Sequence, residues 1–481
     1  MTYLCDTTHS NYTDRMKNRY AELIDQTFYF PQEGFELREG YLQFHGVDIK
    51  ALIQEYGTPL KLFYLPKIGQ QIQRARGWFE AAIAQHDYQG KYHYCYCTKS
   101  SHFKYLLDEV LRHDVNLETS SAYDIDLIRR LYEQGKIDKG IVLVHNGYKP
   151  RQYLDNICGL IREGFDSVIP VLDNTEELQH YLDGLPGGTQ LGIRVATDEE
   201  PNFEFYTSRL GIRSSRVLRF YKEQLAERAE LFPVRMLHFF VDTGIKDTLY
   251  YWNEFKKCIK LYCDLRKLCP TLDSINIGGG MPIKNSLGFE YDYQYMITEI
   301  VGIIKAACAE DGIPEPDIYT EFGKFTVGES GATIFSVIGQ KRQNDAEIWY
   351  MIDNSLMNTI PDTWGLSERF LLLPLNKWDN EYTRVNLGGI TCDNSDYYNA
   401  ETHITQLYMP RIGTDEAEPL YLGFFHTGAY QEALAGYGGV QHCLIPLPKI
   451  VVLDRDADGT LTHRLHAPAQ TADEMLALLG Y

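Results

Sequence analysis

The sequence predicts an α/β barrel followed by an all-β domain, and three observations carry that expectation. From Tyr92 to about Gly323, eight short β-like runs alternate with longer helical stretches, the pattern of a parallel sheet with crossover helices. After about Thr326 the pattern changes to β-rich runs separated by turn residues. At 481 residues, the chain has room for a barrel of roughly 250 residues and a second domain besides. The expected divisions are an N-terminal segment over 1–58 packing with the β domain, a barrel over 59–328, and a β domain over 329–481.

In chain order, the N-terminus MTYLCDTTHSNYTDRMKNRY is polar and lacks the apolar run of a secretion signal, and no stretch approaches 18 uninterrupted apolar residues. A cytoplasmic protein that does not span a membrane is expected. The segment FELREGYLQFHGVD is β-like and is expected to join the second domain. The eight barrel runs are Tyr92–Lys99, Val115–Ser120, Gly140–His145, Ser167–Leu172, Gln190–Val195, Val234–Val241, Asp273–Gly279 and Asp317–Gly323. Helical stretches such as Phe103–Leu111, Asp124–Tyr132 and Tyr293–Cys308 separate them, and eight such units argue for closure rather than an open sheet. The second domain reads as strands in GATIFSVIG, AEIWYMID, YTRVNLGG, PLYLGFF and KIVVLDRDADGTLTHRL, where DADG marks a hairpin turn.

Composition narrows the partners. Apolar residues at 44% and charged residues at 23% are those of a folded globular chain, which excludes disorder and fibrous repeats. A formal net charge of −20 disfavours nucleic acid and favours a cationic small molecule. The ten cysteines lack a disulfide framework of spacings and read as reduced thiols. Cys95 and Cys97 form only a CxC with no second pair at zinc-like spacing, so no metal site is expected.

Active sites of such barrels lie at the C-terminal ends of the strands. The first run ends in CTKSS, placing Lys99 where partial burial can lower an amine's pKa and let it condense with a carbonyl. Taken alone, a strand-end lysine is usually just solvated. The seventh run enters Gly278-Gly279-Gly280, which lets backbone N–H groups approach a phosphate, or simply makes a tight turn. The eighth ends in Glu321-Phe322-Gly323-Lys324, where a carboxylate can hold a pyridine nitrogen protonated and a lysine can meet phosphate; a solvated Glu–Lys pair is the plain alternative. In the second domain, Cys392 offers a proton and Asp393 a partner for a cationic tail, although a structural cysteine is commoner. Tyr430 follows an apolar strand, where tyrosines ordinarily pack.

Together these residues resemble the fold-type III pyridoxal-phosphate decarboxylases, the group of ornithine, diaminopimelate and biosynthetic arginine decarboxylases. The resemblance covers nearly the whole chain. It begins at GVDIKALIQEYGTPLKLFYL and continues in order through CTKSS, INIGGG, EFGK, the Cys392-Asp393 pair and the GAY of Tyr430. Within the group, VNLETSSAYDIDLI, VHNGYKPRQYL, LGIRV, IPDTWGLSERFLLLPL, ITCD and GAYQE look like the arginine branch. The resemblance implies a (β/α)8 alanine-racemase-like barrel followed by a C-terminal β-sandwich or β-barrel domain, with pyridoxal 5'-phosphate as cofactor. It also implies a homodimer, or a higher oligomer, with shared active sites.

By the same resemblance Lys99 carries the cofactor and Gly278, Gly279 and Gly280 with Lys324 and Tyr430 hold its phosphate. Glu321 contacts the pyridine nitrogen. Cys392 and Asp393 reach across the dimer interface, Cys392 as proton donor and Asp393 to the substrate. Glu118, Arg194 and His238 match family positions without an assigned role.

Two departures stand out. The family's sixth strand reads H-x-H-V/I-G-S, whereas this chain has His238-Phe239-Phe240-Val241-Asp242-Thr243, so that Phe240 takes the ring-stacking place and Thr243 the serine's. Asp242 stands where glycine is usual. The stretch 339–359 replaces the helical insertion of the arginine branch. The implied reaction is decarboxylation of L-arginine to agmatine. Ornithine, lysine or diaminopimelate as substrate, and a non-catalytic relative, are the alternatives. A racemase is disfavoured because Glu321 stands where those enzymes resemble an arginine pattern.

Overall fold

The computed structural model describes residues 31–185, 187–197, 208–344, 347–398, 407–413 and 416–481. The first 30 residues of the expected N-terminal segment and residues 345 and 346 of the stretch 339–359 lie outside them. The described residues form two compact units, one within 67–283 and 291–327, the other within 31–66, 284–290 and 328–481.

The first unit is a closed barrel. Its strands are β1 (Tyr92–Cys97), β2 (Asn116–Thr119), β3 (Leu143–His145), β4 (Val168–Leu172), β5 (Leu191–Ala196), β6 (Val234–Phe239), β7 (Ser274–Asn276) and β8 (Asp317–Glu321). Each pairs in parallel with the next, and β8 pairs with β1, closing the cylinder. Inward side chains fill the cylinder, and Cys95, Val144, Ile169, Val171, Met236 and Tyr319 form one buried cluster. A strand buried on both faces needs apolar residues throughout, which is why Val168–Leu172 reads as a continuous run.

Helices fill the crossovers. The one over Ala122–Glu133 starts at Ser121 in a reciprocal capping box with Asp124 and buries Ile125, Ile128 and Leu131. The strands are shorter than the sequence runs. β7 ends at Asn276, and Gly278 follows in the left-handed region at φ +72°, which a residue without a side chain adopts readily.

In the second unit, the hairpin Phe35–Arg38 with Tyr41–Phe44 accompanies a larger sheet. Gly331–Arg342 is its spine: the first half pairs with Tyr421–Phe425 and the second with Ile348–Ile352, with a register shift between Val337 and Gly339. Leu60–Tyr64 lies between that spine and Lys449–Arg455. This strand, set inside the barrel by the sequence divisions, therefore belongs to the β unit. Lys449–Arg455 and Leu461–Ala467 form the hairpin marked by DADG. Of the stretch 339–359, the described residues form the strand ends just named and a short helix, Leu356–Thr359.

A polar network lies inside this unit. Lys61 and Glu432, exposed by only 4% and 6%, pair at 2.6 Å, and Lys61 Nζ also donates to the carbonyl of Thr359 at 2.9 Å. Next to Glu432, Gln431 Nε2 donates to Asp362 Oδ2 at 2.7 Å while its Oε1 accepts from the Asp362 backbone N–H at 3.3 Å. The PDTWG and GAYQE segments are thus tied together, 69 residues apart in the chain. Removing one partner of a buried pair leaves the other charge unpaired and costs about 3–5 kcal/mol. Lys61→Met is expected to lower the thermal unfolding temperature markedly, and Lys61→Met with Glu432→Met to recover much of the loss, both measured by calorimetry.

Candidate active site

The C-terminal ends of the barrel strands gather most of the residues singled out from sequence. After β1 the chain makes a short 3-10 turn, Thr98–Ser100, held by Thr98 Oγ1, which donates to the Glu118 carbonyl at 3.1 Å and contacts Asp124 Oδ1 at 3.1 Å. The turn presents Lys99, whose Nζ lies 3.3 Å from Glu118 Oε2. The register pairing Cys97 with Glu118 sets that approach. Glu118 is fully buried, and its Oε1 has no hydrogen-bond partner among the described residues.

Across the barrel mouth, Glu321 ends β8, almost fully buried. Its Oε1 accepts two amide hydrogen bonds, from Asn146 Nδ2 at 2.7 Å and Asn276 Nδ2 at 2.6 Å, and His238 Nδ1 stands 3.8 Å away. All three groups address one oxygen, so Oε2 is the oxygen they do not engage. His238 sits opposite Arg194 in the β5–β6 register. Burial first, and the Arg194 charge second, push its pKa down to about 3, so the imidazole is neutral around pH 7. His145, at the end of β3, is likewise pushed down to about 3 by burial and by Lys149. Its Nδ1 lies 2.5 Å from Thr119 Oγ1, and its Nε2 has no partner among the described residues.

The glycine run beyond β7 is packed backbone against backbone. A Cβ on Gly279 would lie 2.7 Å from the Glu321 carbonyl oxygen, and one on Gly278 would lie 2.9 Å from that of Phe239. Gly280 (φ +93°) and Gly244 (φ +78°) meet so closely that a Cβ on either would come within 2.7 Å of the other's backbone, and Ile245 N–H donates to the Gly280 carbonyl at 2.9 Å. The segment 240–245 is thereby joined to the triple glycine. Phe240 packs against Gly278, and Thr243 Oγ1 is buried without a hydrogen-bond partner among the described residues. Asp242 receives a 3.4 Å hydrogen bond from Tyr250, and burial raises its pKa above the usual carboxylate value. Lys324, half-buried, opens the short helix after Glu321.

Lys99, Glu118, Arg194, His238, Phe240, Thr243, Gly278, Gly279, Gly280, Glu321 and Lys324 therefore all belong to the barrel unit. Cys392, Asp393 and Tyr430 belong to the β unit. Asp396, buried, orders the loop carrying the first two: its Oδ1 accepts from Leu356 N and Met357 N, and its Oδ2 from Thr391 N and Oγ1. Tyr430 takes φ +69° just before Gln431, whose bonds to Asp362 hold the turn. Sequence reasoning missed Asn146, Asn276, His145 and Gly244. Their signal was position, since Asn276, His145 and Asn146 each end or directly follow a barrel strand.

The two depressed histidines generate a pH dependence. In the unfolded chain they take up protons below their ordinary value near 6.5, whereas in the barrel they resist until about 3. Stability is therefore full above pH 6.5 and falls as the pH drops toward 3, by at most about 1.4 kcal/mol per pH unit for each imidazole. Urea unfolding followed between pH 7 and 5 should show this decline, and His145→Gln should make it shallower.

Residues 71–328, more than half of the chain, match the family model described as pyridoxal-dependent decarboxylase, pyridoxal binding domain. Among curated relatives, the biosynthetic arginine decarboxylase of Pseudomonas putida is 21% identical, over 88% of this chain and 82% of that protein. That of Thermosynechococcus vestitus is 22% identical, over 80% of this chain and 78% of that one. Among solved structures, the biosynthetic arginine decarboxylase SpeA from Campylobacter jejuni superposes with a TM-score of 0.74 at 20% identity, covering 95% of this chain and 90% of that chain. Diaminopimelate decarboxylase from M. jannaschii in complex with L-lysine gives 0.74 at 16% identity, covering 92% and 97%. With a closed barrel that gathers a lysine, a buried glutamate and a triple glycine at its mouth, the chain belongs to the pyridoxal-dependent decarboxylases, and pyridoxal phosphate is its cofactor.

Proposed function

We propose that this protein decarboxylates a basic amino acid, and that L-arginine is its substrate, with agmatine and CO2 as products. The observation that carries the reading is the carboxylate of Glu321, held by two asparagine amides in the barrel mouth that also bears the Lys99–Glu118 pair. The residues fit the cofactor. A glycine-lined cradle with an orphaned threonine hydroxyl suits a phosphoryl group, and the fixed carboxylate suits a ring nitrogen. Pyridoxal phosphate, when bound, supplies the electron sink for the pair left behind as CO2 departs.

The chain's own residues have distinct tasks. Lys99 anchors the cofactor, and Glu118 orients its amine. Gly278, Gly279, Gly280 and Thr243, with Lys324 and Tyr430, hold phosphate. Glu321 keeps a ring nitrogen protonated, positioned by Asn146 and Asn276. Phe240 packs against the ring and contributes neither a hydrogen bond nor a titratable group. Cys392 delivers a proton to the α-carbon, and Asp393 accepts the guanidinium through paired hydrogen bonds. In this reading both act across the interface of a homodimer in the cytoplasm.

Arginine is preferred because the relatives named above are biosynthetic arginine decarboxylases and because PDTWG and GAYQE, which look like that branch, are joined by the Asp362–Gln431 bonds. The same Asp393 carboxylate accepts an ammonium, so the test runs substrates in parallel. Purified protein with pyridoxal phosphate is incubated with L-arginine, L-ornithine, L-lysine and meso-diaminopimelate, and products are identified by mass spectrometry. Agmatine alone is expected. A different amine moves the substrate, and no product from any of the four overturns the reading. Lys99→Ala should abolish the absorbance of covalently attached cofactor together with activity. Cys392→Ala should leave that absorbance intact and slow turnover by about 10²–10⁴-fold, the range for a general acid.

A further inference from the structure

The β unit holds a second group of reactive side chains that the decarboxylation reading uses only in part. Cys392 Sγ and Cys443 Sγ stand 3.4 Å apart, although their positions in the chain differ by 51. His442 completes the group: its ring nitrogen and the two sulfurs all lie within 4.8 Å of one another. Asp393, next to Cys392, places Oδ2 4.0 Å from His442 Nε2. All four residues are exposed in the single chain.

Both halves of the cluster are built in place. Asp396 fixes the 391–396 loop through Thr391 and the Leu356 and Met357 amides, and Ser395 N–H donates to Asp393 Oδ1 at 2.7 Å. On the other side, Asn358 Nδ2 donates to the His442 carbonyl at 2.9 Å. Cys443 occupies the left-handed region at φ +57°, ψ +20°, a conformation that costs a β-carbon-bearing residue about 1–2 kcal/mol and that clusters at functional positions.

We propose that Cys392, Cys443 and His442, with Asp393 as a fourth oxygen donor, form a binding site for a thiophilic divalent cation of the zinc class. Tetrahedral zinc with Zn–S near 2.3 Å and Zn–N near 2.0–2.1 Å spaces its donors about 3.5–3.8 Å apart, against 3.4 Å between the two sulfurs and 4.0 Å between His442 Nε2 and Asp393 Oδ2 here. Two thiols, an imidazole and a carboxylate are the donor types zinc selects, and binding releases the thiol protons. The imidazole and carboxylate distinguish the group from a bare cysteine pair set for a disulfide. A consequence rests on the reading given above: metal would occupy Cys392 and Asp393, so the cation would inhibit decarboxylation.

The test uses the reduced, full-length holoenzyme titrated with Co²⁺ and then Zn²⁺. The expected result is a thiolate-to-cobalt charge-transfer band saturating at one ion per chain and removed by zinc. Cys443→Ser and His442→Gln should each weaken binding at least about tenfold, since even a second-layer partner is worth roughly 10–100-fold. Neither residue has a task in the proposed reaction, so both variants should keep metal-free activity. Absence of the band, or a band unchanged in both variants, overturns the site whatever the activity does. Binding at one ion per chain without inhibition supports the site while removing Cys392 as proton donor, which separates the two proposals.

Discussion

The pairing of β8 with β1 closes the sheet, and the rest of the barrel mouth depends on it. Glu321 faces Cys95 in that register although the two are 226 positions apart in the chain. Closure alone brings the turn after β1 and the end of β8 to the same rim, so Lys99 and Glu321 share one mouth. Because all eight strands run in parallel, every C-terminal end arrives on that rim, and each strand adds its last residue to a common surface. An open sheet of the same strands would place the first and eighth at opposite edges.

Closure also concentrates charge that a water-excluded interior cannot hold uncompensated. Glu118 and Glu321 are both buried, and each has an answering group: the Lys99 ammonium for one, two asparagine amides for the other. His145 and His238 are held neutral by the same surroundings. The mouth is thus a set of fixed dipoles and charges arranged before any small molecule enters, the condition under which electrostatic interactions act most strongly.

The β unit follows a different logic. Its spine strand serves two sets of neighbours, and the buried Lys61–Glu432 and Asp362–Gln431 contacts tie segments distant in sequence to one location. Loops held in this way, such as those at Asp396 and Asn358, present reactive side chains at the surface with little freedom. The proximity of Cys392 to Cys443 is a product of that arrangement.

Alternation of short apolar runs with helical stretches, a function of backbone periodicity and burial, was enough to read eight barrel strands from the sequence, and strand ends then pointed to Lys99, Gly278–Gly280 and Glu321. Local chemistry likewise marked the DADG hairpin. The membership of Leu60–Tyr64 was hidden, because its partners are 267 or more residues away, and an apolar pentapeptide fits either unit. The same holds for Asn146 and Asn276: an asparagine after a strand is ordinary until a third residue, Glu321, is brought between them. Periodicity and turn chemistry are encoded over a few neighbouring residues, and these the sequence determined by itself. Which carboxylate receives which amide, and which cysteine meets which, depends on contacts between distant segments that only the folded chain brings within hydrogen-bonding range.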